Sequence, residues 1–190
     1  MAAPADLNTL KQDLSRRMDG ALEALKKEFS GLRTGRASPA LLEPIRVEVY
    51  GANQPLVQVA NISVSGPSML SVQVWDRGAT KAVEVAIRDS GLGLNPQTEG
   101  QVIRVPLPPL TQERRNELAK QAAKYAEAAK VAVRGVRRDG MDQIKAWEKK
   151  SEISKDDAKD WSDEVQKLTD QMIKRVDELL AEKEKDIKAV

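Results

Sequence analysis

Apolar residues recur every three or four positions at both ends of the chain, and that spacing admits little except long amphipathic helices. From Asp6 to Leu32 the series is Leu7, Leu10, Leu14, Met18, Leu22, Leu25, Phe29 and Leu32. From Thr111 onward it resumes as Leu118, Ala122, Tyr125, Ala129, Val133, Val136, Gly140, Ile144 and Trp147. A further helix is predicted after Glu152-Ile153, with Ser154 as N-cap and Asp157 closing a capping box. Its stripe is Trp161, Val165, Leu168, Met172, Val176 and Leu179. A helix with one apolar stripe buries it only against another surface. Three such helices satisfy one another most simply as an elongated antiparallel three-helix bundle.

The middle of the chain has a different grammar. Between Arg33 and Pro109, glycine, proline and β-branched residues concentrate. Ile45–Tyr50 alternates apolar and polar residues, and segments 56–59, 62–64, 70–75 and 102–105 read as further strands. Gly51-Ala52-Asn53 and Ser65-Gly66-Pro67-Ser68 read as turns. Ala79 to Ser90 returns to helical spacing and stops at Gly91-Leu92-Gly93, and Pro106, Pro108 and Pro109 forbid continuation of the last strand.

The fold class is therefore α+β, with a small strand-and-helix domain inserted into the bundle. The expected boundaries are 1–32 with 107–190 for the discontinuous bundle and 33–106 for the insertion. Two crossings join them, and Arg33, Thr34, Gly35, Arg36, Pro106 and Pro108 are the expected hinge residues. Because the stripes satisfy each other within one chain, a monomer is expected.

The residues that are missing exclude whole classes of chemistry. There is no histidine and no cysteine. That removes the imidazole base, the Cys or Ser–His nucleophile, zinc–thiolate sites, iron–sulfur ligation and disulfides. No aspartate-rich loop has calcium-binding spacing. Gly91-Leu92-Gly93-Leu94-Asn95 ends a helix instead of opening one, so it lacks phosphate-cradle geometry. No apolar run has bilayer length, and the first residues resemble neither a secretory nor a mitochondrial leader. A non-enzymatic, cytoplasmic protein without cofactor or metal, which acts by binding large partners, is the expectation.

Charge is nearly balanced, 31 Lys+Arg against 29 Asp+Glu, so its distribution decides. The densest basic run is Val133-Arg134-Gly135-Val136-Arg137-Arg138-Asp139. On a helix Arg134, Arg137 and Arg138 fall within an arc of about 100°, away from the apolar stripe. Lys120, Lys130 and Lys145 lie in or beside that arc, as do Glu127 and Met141. An i,i+4 pair between Arg138 and Asp142 is expected. The arc reads either as an ordinary solvated face or as a phosphate-binding face suited to folded RNA. Arg33 and Arg36 in the first crossing, and Arg114 and Arg115 in the first turn of their helix, carry the same two readings. Trp147 and Trp161 are predicted to pack in the core, and Trp75, at a strand end, reads either as core, the favoured reading, or as domain surface.

The order and spacing of several motifs resemble the bacterial ribosome recycling factors. These are Leu32-Arg33-Thr34-Gly35-Arg36-Ala37-Ser38-Pro39, Val49-Tyr50-Gly51, Gly91–Pro96, Ile103–Thr111, Glu113-Arg114-Arg115 and Val133–Asp139. The resemblance implies a three-helix bundle carrying a β/α/β domain in an L shape similar to transfer RNA. It also implies binding to large-subunit RNA of the post-termination ribosome, and subunit separation with elongation factor G, whose GTP is not bound by this chain. Carried over by position, Arg134, Arg137 and Arg138 are the leading RNA-contact candidates, then Arg33 and Arg114, with Lys130 beside the cluster. Gly135 departs from the family's usual residue in that motif. A helical ribosome- or RNA-binding factor without recycling activity, and a self-associating coiled coil, are the competing classes.

Overall fold

The structure is a computed structural model and describes residues 4–34 and 36–189. Its helices are α1 (Leu7–Ser30), α2 (Thr80–Arg88), α3 (Gln112–Lys149) and α4 (Lys155–Lys188). Its strands are β1 (Arg46–Val49), β2 (Ala52–Pro55), β3 (Ala60–Gly66), β4 (Met69–Val74), β5 (Gln97–Glu99) and β6 (Val102–Pro106). The chain forms two compact units. One holds Ala119–Glu184 together with the chain up to Phe29; the other holds Ser30–Leu118 together with the chain from Lys185.

The first unit is the bundle, built from α1 and most of α3 and α4. Leu10, Leu14, Met18, Leu22, Leu25 and Phe29 of α1 are buried, as the spacing predicts. So are Ala122, Ala129, Val133, Val136, Ile144 and Trp147 of α3, and Val165, Met172 and Val176 of α4. Each fully buried large aliphatic contributes about 1.5–3 kcal/mol. Cross-helix pairs fix the directions. Arg17–Asp139 and the Leu14–Gly140 approach run α1 against α3, while Arg137–Gln166 and Lys130–Asp177 run α3 against α4. Lys11–Glu164 and Asp19–Arg175 set α1 parallel to α4. Ser154 caps α4 as predicted, its hydroxyl accepting from the Asp157 N–H at 3.0 Å. One register detail differs from the sequence reading. Thr169 is fully buried in the α4 stripe, whereas its neighbour Leu168 is only half-buried. The Thr169 hydroxyl is satisfied by the Val165 carbonyl one turn back, at 2.9 Å.

Glycine marks where α1 and α3 come closest. A Cβ on Gly140 would stand 2.5 Å from Leu14 Cδ1, so only hydrogen fits there.

The second unit is a four-stranded antiparallel sheet in the order β3-β4-β6-β5, a separate β1–β2 hairpin, and α2. Period-two alternation turns Leu70, Val72 and Val74 of β4 and Ile103 and Val105 of β6 into one core. Val47 and Val49 of β1 join them, along with Val83 and Ile87 of α2. The β1–β2 loop is Tyr50-Gly51, with φ of 52° and 78°, the signature of a type I′ turn. Tyr50 holds this uncommon left-handed conformation with its hydroxyl donating to Asp76 Oδ2 at 2.7 Å. That bond first, then the Gly78 N–H, holds the Asp76 carboxyl below its ordinary range, and donating to a carboxylate pushes the Tyr50 phenol up. Gly78 lies against the hydroxyl end of Tyr50: a Cβ there would sit 2.5 Å from that oxygen, so a side chain would shift the exposed ring.

Three sequence expectations are corrected in this unit. Residues 52–55, read partly as a turn, are strand β2, because the two-residue turn starts pairing at Val49 and Ala52. Residues 56–59, read as a strand, begin with a 3-10 turn at Leu56–Gln58, directly after Pro55. Trp75, expected in the core, is 61% exposed, since it follows inward-facing Val74 and alternation carries it to the other face. The short strand β5, whose residues are all exposed, gave no apolar signal to read.

The packing makes a direct prediction. Gly140→Ala gains helix propensity yet loses stability by about 1–3 kcal/mol through the overlap with Leu14. Gly20→Ala in α1, where a Cβ meets nothing within 4 Å, gains about 1 kcal/mol. Thermal melts of the two variants should therefore move in opposite directions.

Candidate nucleic-acid interface

The strip of α3 opposite its buried stripe carries the basic run, and the bundle sorts that run by direction. Taking buried Val136 as the inward direction, 100° per residue carries Arg137 and Lys130 toward one flank of the helix and Asp139 toward the other. Arg134 and Arg138 point outward. The contacts agree. Arg137 is half-buried, and its Nε donates to Gln166 Oε1 of α4 at 2.6 Å. Gln166 is itself steadied by donating to Asp170 at 2.8 Å. Lys130 is 20% exposed and bridges to Asp177 of α4 at 2.5 Å. On the other flank Asp139 pairs with Arg17 of α1 at 2.5 Å.

Two arginines of the run remain for a partner, and Lys120 and Lys145 are exposed on the same outward strip. Arg134 is exposed and touches Glu127 only loosely, at 3.5 Å. Arg138 is exposed and makes no ion pair or hydrogen bond among the described residues. The expected Arg138–Asp142 pair is not formed. A base N-terminal to its acid is the weaker i,i+4 orientation, and the macrodipole disfavours it. The arrangement has no general base, nucleophile or cluster of acids that could hold a metal among the described residues. What it offers is outward guanidinium groups on a rigid helix, with two half-buried cations tied down behind them. Guanidinium groups set out in this way have the donor geometry and charge to pair with phosphate groups.

Arg33 and Arg114 form a separate group in the second unit. Arg33 is half-buried and donates to the Pro108 carbonyl, and burial first, then the nearby Arg114 cation, lowers its pKa. Arg114 is exposed, pairs with Glu117 at 2.8 Å, and its backbone N–H is capped by the Thr111 hydroxyl at 3.1 Å. Of the expected hinge residues, Thr34 spans to Arg36 by two weak hydrogen bonds, and Arg36 faces Asp186 at 3.6 Å. Gly35 lies outside the described residues. Pro106 ends β6 opposite Met69, and the next residue, Leu107, donates to Ser68 at 2.8 Å.

Arg115 carries the same two sequence readings as Arg114 but is not among the leading RNA-contact candidates, and the structure makes it the more unusual of the two. Its Nε is sealed from solvent without a hydrogen-bond partner, beside a cavity of about 90 Å³ lined by Arg33, Thr34, Ser68 and Pro108. The readable signal was its position three residues before buried Leu118, which turns it inward.

These contacts separate the three arginines experimentally. Arg137→Ala should lower stability by about 0.5–1.5 kcal/mol, and a double-mutant cycle with Gln166→Ala should recover that coupling. Arg138→Ala should leave the melting temperature unchanged.

Comparisons with known proteins place this geometry. The family described as "Ribosome recycling factor" matches residues 25–187. A ribosome-recycling factor of Granulibacter bethesdensis is 73% identical, covering 98% of this chain and 99% of that protein. One from Gluconacetobacter diazotrophicus is 67% identical over the same shares. A solution structure of a ribosome recycling factor, 44% identical, superposes with a TM-score of 0.74 over 99% of this chain and 100% of its own. A second structure presents the T. thermophilus ribosome recycling factor and E. coli elongation factor G bound to the E. coli post-termination complex. It is 43% identical, with a TM-score of 0.67 over 97% of this chain and 100% of its own. The chain therefore belongs to the ribosome recycling factor family, whose members are translation factors and not enzymes.

Proposed function

We propose that this protein binds the post-termination ribosome in the cytoplasm, chiefly on large-subunit ribosomal RNA, and with elongation factor G and GTP separates the subunits for a new round of translation. The observation that carries the reading is the outward pair Arg134 and Arg138 on α3, with Arg138 unpartnered among the described residues, in a chain of this family. A guanidinium with no internal partner has no acid to give up when it meets a phosphate, so its contact energy goes to binding. Arg137 and Lys130 act from behind. Arg137, held by the neutral amide of Gln166, adds its positive charge to the strip, while the Lys130–Asp177 pair is close to neutral and serves to fix α3 against α4.

Arg33 and Arg114 add a second RNA contact in this reading. Residues 33–36, Pro106 and Pro108 serve as the hinge between a bundle of 1–32 with 107–190 and the inserted domain of 33–106. The protein acts as a monomer and needs no cofactor, and the nucleotide belongs to the elongation factor. The solved relative on a post-termination complex with elongation factor G supports the choice of partners.

Sedimentation of post-termination ribosomes tests the whole reading. With this protein, elongation factor G and GTP together, free subunits should appear, and omission of any one should leave the ribosomes joined. Binding without splitting under any condition would instead support an RNA-binding factor of another kind.

A further inference from the structure

Helix interiors disfavour glycine more than any residue but proline, and the long helices hold three: Gly20 in α1 and Gly135 and Gly140 in α3. Gly140 has a packing reason, the Leu14 methyl that would collide with a Cβ. Gly135 has none inside the molecule, since a Cβ there would meet nothing within 4 Å. It sits one turn before Arg138, whose guanidinium has no partner among the described residues, and next to Arg134. Helical side chains lean toward the N-terminus, so the Arg138 stem lies back over the turn that contains Gly135. Beside it, Val131 is 59% exposed; of the two acids on that flank, Asp139 is held by Arg17, and exposed Asp142 lies one turn beyond Arg138, on the side away from Gly135.

We infer that Gly135 is a positioning residue for RNA. Its missing side chain leaves a notch on α3 into which a phosphodiester of the ribosomal RNA backbone seats against the helix, with Arg138 folding over it and Arg134 closing from the side. Glycine serves elsewhere where a ligand must approach the backbone closely. The inference rests on the reading of Arg134 and Arg138 as the RNA-contacting pair. It goes further in naming the steric feature that sets how near the phosphate comes.

The notch separates two properties that most substitutions move together. Gly135→Ala should raise the melting temperature by a few degrees, because alanine is the better helix former and fits without contact. It should nevertheless weaken binding to isolated large ribosomal subunits by about five- to tenfold, roughly the loss of one charge-assisted contact. Gly20→Ala is the matched control, another open glycine in the same unit, and should raise the melting temperature while leaving affinity unchanged. Arg138→Ala, measured alongside, reports on the underlying reading. Lost affinity in Arg138→Ala with full affinity in Gly135→Ala overturns the notch and leaves the arginine contact standing. Full affinity in both removes the contact and the notch together. Equal losses in Gly135→Ala and Gly20→Ala would assign the effect to helix stiffness, and a lowered melting temperature in Gly135→Ala would assign the glycine to packing. Either result overturns the inference.

Discussion

Mutual burial of the apolar stripes of α1, α3 and α4 is the constraint on which the rest of the bundle depends. Because Val133, Val136 and Gly140 must face α1 and α4, the rotational setting of α3 is fixed, and with it the direction of every other side chain on that helix. The approach of Gly140 to Leu14 sets the depth of that packing. Outward presentation of Arg134 and Arg138 is thus a consequence of hydrophobic periodicity. No separate device is needed to aim them.

Polar contacts then refine what burial decides. The cross-helix pairs Lys11–Glu164, Arg17–Asp139, Lys130–Asp177 and Asp19–Arg175 lie on the flanks of the bundle and are at least partly exposed. Pairs of this kind contribute about 0–1 kcal/mol each, so they select orientation more than they stabilise. Their second effect is on the cationic strip. By engaging Asp139, Arg17 removes the carboxylate next in sequence to Arg138, and by engaging Asp177, Lys130 is turned from solvent toward α4. The second unit uses a different device. There the Tyr50-Gly51 turn and the Tyr50–Asp76 hydrogen bond hold a hairpin beside the sheet over Gly78.

How much of this was legible in the sequence follows from how local each signal is. The helical stripes were legible residue by residue, since a 3.6-residue period over so long a span has few competitors. So were the Ser154 cap and the strands whose alternation is apolar on one face, such as Leu70, Val72 and Val74. Strands β2 and β5 were not, because Ala52–Pro55 and Gln97–Glu99 carry no apolar alternation and are held by partners chosen in three dimensions. Trp75 misled because size argued for burial while its parity after Val74 argued for exposure, and parity won. At the arginine cluster the arc was readable but its internal division was not. Nothing in Arg137 or Arg138 alone reveals that Gln166, on another helix, takes one and leaves the other.

The central claim is that outward guanidinium groups on α3 grip ribosomal phosphates, and the salt dependence of binding tests it most directly. The affinity of the protein for large ribosomal subunits should be titrated at several salt concentrations, beside a variant in which Arg134 and Arg138 are both replaced by Ala. If each arginine neutralises one phosphate, the variant should bind more weakly, and the slope of log affinity against log salt should flatten by about 1.4–1.8. A variant that binds with the same affinity and the same slope as the parent would contradict the account, and would leave the arginines as a solvated face of the bundle.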